Sequence, residues 1–124
     1  MVSTNGKRIM VVDDEPDIIT VLSEYLAGEG FQVITAPNGQ QAIKQAEETY
    51  FDLILLDIAM PVMNGLDVLK EIKKIKPDTA VIMITAYRDA EKVVECFRTG
   101  AFDCIFKPFD LKYLRNAILA KLMC

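Results

Sequence analysis

Four short apolar runs each end on a polar residue, and they recur at helix-sized intervals. Ile9-Met10-Val11-Val12 runs into Asp13-Asp14, Leu53-Ile54-Leu55-Leu56 into Asp57, Val81-Ile82-Met83-Ile84 into Thr85, and Cys104-Ile105-Phe106 into Lys107. Runs this short and this continuously apolar fit strands covered on both faces, as in parallel sheets. If they are parallel strands of one sheet, all five polar side chains gather at one edge.

The segments between the runs carry helical periodicity. Ile18, Val21, Leu22 and Tyr25 share one face of a first helix, with Pro16 in its opening turn and Gly30 at its exit. Gln32 to Ala36 reads as a further strand, followed by an Asn38-Gly39 turn and a short helix with Ala42, Ile43 and Ala46 inward. Leu66, Leu69, Ile72 and Ile75 mark a third helix ending near Pro77. Asp89 is the expected N-cap of a fourth, with Ala90, Val93, Val94 and Phe97 on its apolar stripe and Gly100 past its end. Asp110 opens a fifth, carrying Leu111, Leu114, Ile118 and Leu122. Five βα units in strict alternation imply right-handed crossovers and a doubly wound parallel sheet in an α/β fold. Ligands of such sheets bind beyond the carboxyl ends of the strands, where the polar residues stand.

A chain of 124 residues with an apolar fraction of 52% reads as one domain, with a flexible lead expected over residues 1–7. No apolar stretch approaches the ~20 residues of a membrane helix. Met1 to Arg8 lack an apolar signal core, so a cytoplasmic home with no membrane partner is expected. Cys96, Cys104 and Cys124 show no CxxC spacing and read as reduced thiols. A net charge of −4 argues against direct contact with nucleic acid. The absence of histidine removes Ser-His-Asp catalysis and imidazole metal sites.

Carboxylates, hydroxyls and lysines are what remain. With the strand of Asp57 beside the one ending in Asp13-Asp14, a spacing of ~4.8 Å brings three carboxylates within mutual reach. Their repulsion calls for a divalent cation, and an all-oxygen donor set selects Mg²⁺, with Mn²⁺ as a second option. One carboxylate is then free to act as nucleophile toward a phosphoryl group, with Lys107 pairing with a phosphoryl oxygen and Thr85 donating a hydrogen bond to another. Taken singly, each residue has an ordinary structural explanation. Asp13-Asp14 could cap the first helix, Thr85 could be a common strand-end residue, Lys107 could be a solvated lysine, and Pro61 and Asn64-Gly65 could be loop punctuation. Their arrival at successive strand ends is what the separate explanations leave unaccounted for.

The segments VVDDEPDI, DLILLDIAMPVMNGLDVL, VIMITAY and FKPFD closely resemble the response-regulator receiver domain of two-component signalling, over essentially the whole chain. The resemblance implies a flavodoxin-like (βα)5 fold of strand order 2-1-3-4-5. It implies Asp57 as phosphoacceptor, Asp13 and Asp14 as the metal-binding acids, and the backbone carbonyl of Ala59 as a further ligand. It also implies Thr85 as the switch hydroxyl and Lys107 as the phosphate-binding lysine, joined to Pro108 by a cis peptide, with Pro61 and Gly65 in the loop after Asp57. The expected phosphoryl donor is a histidine kinase, a histidine phosphotransfer protein or a small molecule. The output is a surface around the fourth helix, fifth strand and fifth helix, read by a partner protein, by an output domain of a longer chain, or by a second copy on phosphorylation.

One position departs from the family's usual pattern, and two others bear on the lifetime of the phosphoryl group. Many receivers carry an aromatic residue three before the lysine, where this chain has Cys104; Phe102 and Phe106, on the same strand face by period two, are the candidates to replace it. The positions two beyond the phosphoacceptor and two beyond the threonine hold Ala59 and Tyr87, which cannot position water as an acid or amide does, so a slowly hydrolysed aspartyl phosphate is expected. The rival reading is a haloacid-dehalogenase-like phosphatase using Asp57 as nucleophile. That family needs an acid two residues later, where Ala59 stands, and a receiver is expected to accept one phosphoryl group without turning over.

Overall fold

The structure is a computed structural model that describes residues 6–86 and 88–123. Five strands alternate with five helices: β1 (Arg8–Val12), α1 (Pro16–Gly28), β2 (Gln32–Ala36), α2 (Gly39–Glu48), β3 (Leu53–Asp57), α3 (Gly65–Ile75), β4 (Ala80–Thr85), α4 (Ala90–Thr99), β5 (Asp103–Phe106) and α5 (Leu111–Leu122). All strand pairs are parallel, in the order β2-β1-β3-β4-β5. Of the lead expected over residues 1–7, residues 1–5 lie outside the described residues, and the Lys7 carbonyl accepts the Gln32 N–H at 2.9 Å.

The period-two alternation of the strands divides the core into two layers. Met10, Val12, Ile54, Leu56, Val81 and Met83 face α2, α3 and α4, meeting Ala42, Val68, Leu69, Ile72 and Cys96. Ile9, Val11, Leu53, Leu55, Ile82 and Ile105 face α1 and α5, meeting Leu22, Leu26, Leu114 and Ile118. Every residue of β3 and β4 is buried, as central strands covered on both sides require. No helix of the described residues is long and apolar enough to cross a membrane.

The helix starts follow local chemistry. Asn38, Asn64, Asp89 and Asp110 each place a side-chain oxygen on a backbone N–H of the first turn. Asn38 and Asn64 are therefore caps, where the sequence suggested a turn and loop punctuation. Gly100 ends α4 at φ 115°, a left-handed conformation that glycine adopts without a Cβ clash. Two apolar faces are less covered than their periodicity suggested. Val21 on α1 is 50% exposed, and on α4 only Cys96 is buried while Val94 and Phe97 are each 46% exposed.

Candidate functional site

The carboxyl ends of β1, β3, β4 and β5 deliver Asp13-Asp14, Asp57, Thr85 and Lys107 to one edge of the sheet. Carboxylate oxygens of Asp13, Asp14 and Asp57 all lie within 4.8 Å of one another. Asp13 and Asp57 are buried and Asp14 is exposed, so the cluster opens to solvent on the Asp14 side. The Lys107 ammonium reaches across from β5, 3.2 Å from Asp13 Oδ2, 3.6 Å from Asp57 Oδ2 and 3.8 Å from Glu15 Oε1.

Backbone groups hold the acids in place. Asp13 Oδ1 accepts the Glu15 N–H at 2.9 Å, so Asp13 orders the start of α1 with one oxygen and faces Lys107 with the other. Asp57 Oδ1 accepts the Ala59 N–H at 3.2 Å. Thr85 is buried; its carbonyl accepts the Lys107 N–H at 2.7 Å, and the neighbouring Ile84 carbonyl accepts the Ile58 N–H at 3.0 Å. The three strand ends are thereby tied together beneath the side chains. Gly65 lets the loop after Asp57 fold back: its N–H donates to the Ile58 carbonyl at 2.8 Å, and a Cβ here would lie against the Asp57 carbonyl and 2.7 Å from Ile58 Cα. Pro61 is exposed in the same loop, and the Lys107–Pro108 peptide is cis.

The electrostatics are those of an acid cluster short of cations. Burial, and then the Asp13 charge, push the Asp57 carboxyl up to about 6, against the lowering pull of Lys107. Burial works against the charge of Lys107, but Asp57 and Asp13 outweigh it and leave the ammonium above its ordinary value. Three carboxylates and one ammonium at this spacing make an oxygen-rich, electronegative pocket suited to a small hard cation.

Residues 9–119 match the family profile of the response regulator receiver domain. The chain belongs to this family. It is 43% identical over 110 residues to the transcriptional regulatory protein ZraR of Escherichia coli, a match that covers 89% of this chain and 25% of ZraR. It is 37% identical over 113 residues to the sporulation initiation phosphotransferase F of Bacillus subtilis, covering 91% of each. The receiver thus spans about a quarter of the length of ZraR-type relatives and nearly all of a single-domain one. Among solved structures, a CheY-like receiver from Methanospirillum hungatei superposes with a TM-score of 0.92 at 33% identity, covering 94% of each chain. The response regulator TrrA of Thermotoga maritima, solved in complex with Mg²⁺ and a beryllium fluoride, superposes at 0.85 with 39% identity, covering 94% of this chain and 99% of that one. The fold and the role as a receiver domain of two-component signalling follow, and the phosphatase alternative falls away.

The receiver's less conventional positions are also placed. Cys104 packs at the margin of the α2–α3–α4 layer, its thiol pushed up to about 11 by burial and then by Cys96. Phe106 stands beside Thr85 in the β4–β5 register, with the Arg88 guanidinium 4.7 Å over its ring. Phe102 precedes the strand, is 42% exposed and lies 5.3 Å under the Lys121 ammonium, so it does not take up a place behind Thr85. Ala59 is exposed, and Tyr87 lies outside the described residues. Sequence reasoning did not foresee the approach of Glu15 to Lys107 or the cover that Arg88 gives Phe106. The first joins two loops and the second a loop to β5, and no periodicity announces either.

Proposed function

We propose that this receiver accepts one phosphoryl group on Asp57 from a phosphohistidine and serves as a switch without catalytic turnover. The supporting observation is the buried Asp57 carboxylate held among two further acids and 3.6 Å from Lys107 Nζ. Asp13, Asp14 and Asp57, with the backbone carbonyl of Ala59, would hold Mg²⁺, and the same oxygen set suits Mn²⁺. The ion, when bound, neutralises the clustered carboxylates and the incoming phosphoryl oxygens. An Asp57 oxygen attacks phosphorus, the P–N bond to the donor imidazole breaks, and the imidazole leaves with the electron pair. Lys107 pairs with a phosphoryl oxygen and the Thr85 hydroxyl donates to another.

The donor's docking surface is proposed from the apolar groove beside the acids. Ile18, Val21, Pro108, Phe109 and Leu111 line about 560 Å³ that runs up to Lys107. A helix of a histidine kinase or phosphotransfer protein seated there would present its histidine toward Asp57. Ala59 offers no side-chain group to position hydrolytic water, which supports a long-lived aspartyl phosphate; Ala59→Asn is expected to shorten its lifetime.

Intact mass after incubation with acetyl phosphate and Mg²⁺ tests the reading. The expected result is a single phosphoryl adduct in the wild type and none in Asp57→Asn or in the presence of EDTA. An adduct persisting in Asp57→Asn would overturn the assignment, and continuous release of phosphate at many turnovers per chain would overturn the switch.

A further inference from the structure

Cys104 stands where many receivers carry an aromatic side chain, yet an aromatic residue two positions on, Phe106, is the β5 register partner of Thr85. Thr85 and Phe106 are register partners in neighbouring parallel strands and share a face of the sheet with Cys104 and Met83. The Phe106 ring lies under Arg88, which sits three residues beyond Thr85 in the loop leading to α4. Arg88 is exposed and makes this contact from the protein surface. Together, Arg88, Cys104, Phe106, Phe109 and Tyr113 border a cavity of about 470 Å³ on the β5–α5 side of the molecule. One cation–π contact therefore joins the β4–α4 loop to β5 in the wall of this cavity.

We propose that Arg88, stacked on Phe106, is the positioning residue that couples the phosphoryl site to the β5–α5 face in this chain, in place of an aromatic residue at position 104. The proposal rests on Asp57 being the phosphoacceptor. A phosphoryl group on Asp57 brings new acceptor oxygens within the reach of the Thr85 hydroxyl, and the favourable bond draws the end of β4 toward the site. Arg88 is only three residues away along the chain, so its loop follows. The ring of Phe106 is anchored to β5, whose Lys107 N–H is held by the Thr85 carbonyl at 2.7 Å. Movement of the loop therefore slides the guanidinium off the ring, which takes Arg88 out of the cavity's lining and widens access to Cys104 on the same wall. In the resting state the same contact holds the loop back and opposes phosphorylation. Each side biases the other, as linkage requires.

Cys104 is a native reporter. Its alkylation by N-ethylmaleimide is followed by mass spectrometry of the Cys104 peptide, which separates it from Cys96 and Cys124, with and without Mg²⁺ and beryllium fluoride as the phosphoryl mimic. In the wild type the mimic is expected to raise the rate several-fold. Arg88→Ala is expected to raise the resting rate by a similar factor and to tighten beryllium fluoride binding about two- to fivefold, the scale of one exposed cation–π contact. Arg88→Lys, which keeps a cation over the ring, should fall between. Phe106→Leu should reproduce Arg88→Ala, and the double variant should go no further than either. Cys104 rates that ignore both Arg88→Ala and the mimic, or single effects that simply add, overturn the proposal. A wild-type chain that binds no beryllium fluoride with Mg²⁺ overturns the phosphoacceptor reading and this proposal with it. Binding with Cys104 indifferent overturns this proposal alone.

Discussion

Val62 has φ 69° and a fully exposed side chain, and the Met63 N–H closes over it onto the Pro61 carbonyl at 2.8 Å. That is a γ-turn of the strained hand, with a β-branched residue at its centre and no packing to offset the strain. Val62→Gly is expected to raise stability by about 0.5–1 kcal/mol, the relief of strain exceeding the entropy glycine adds to the unfolded chain. A urea midpoint that falls or stays constant would contradict this. Asp57 is a second residue held at a cost. Its carboxyl titrates at about 6 in the fold against an ordinary 3.8, so the ionised form is disfavoured by folding. The penalty is full above about pH 6 and gone below the ordinary value, where both states are protonated. Without metal, Asp57→Asn is expected to stabilise the protein at pH 7 by on the order of 1–2 kcal/mol, with the gain shrinking as pH falls toward 4. Denaturation in EDTA at several pH values checks the sign. Saturating Mg²⁺ should diminish the gain by stabilising the wild type selectively.

At the level of elements, the loop from β3 to α3 carries the tightest constraint. Gly65 is buried against the backbone of Asp57 and Ile58, and an added Cβ meets main-chain atoms that cannot rotate away. Gly65→Ala should cost about 3 kcal/mol or more and, on the proposed function, slow phosphorylation of whatever remains folded, because relief of the clash displaces Asp57, the proposed phosphoacceptor. Urea denaturation and the initial rate of adduct formation read the two effects separately. The sequence announced the strands, since β2 spans Gln32–Ala36 as read and the other runs end at the expected polar residues. Caps at Asp89 and Asp110 were legible for the same reason: short-range chemistry decides them. The exposure of Val94 and Phe97 on α4 was not. Helical periodicity says that a face is apolar, while its burial depends on how far the neighbouring elements reach, and here they cover only Cys96.

For the molecule as a whole, the gathering of Asp13, Asp14, Asp57, Thr85 and Lys107 was legible because parallel strands share an edge. The contacts across that edge, such as Glu15 with Lys107 and Arg88 over Phe106, depend on loop paths that no repeat encodes. The same limit applied to α1, where helical spacing put Val21 on the inward face and the fold leaves it half exposed in the groove leading to Lys107. That exposure separates two routes to Asp57. On the proposed function, a small donor needs only the acid pocket, whereas a protein donor also buries the groove. Covering the exposed half of a valine contributes about 1 kcal/mol, or roughly fivefold in affinity. Val21→Gln keeps a good helix former and adds no charge beside the acids. It is expected to slow transfer from a histidine-phosphorylated partner about fivefold at subsaturating concentration, while the rate with acetyl phosphate stays within twofold of wild type. Parallel time courses with the two donors check this: equal slowing of both would place the effect in the pocket, and slowing of neither would move the docking surface elsewhere.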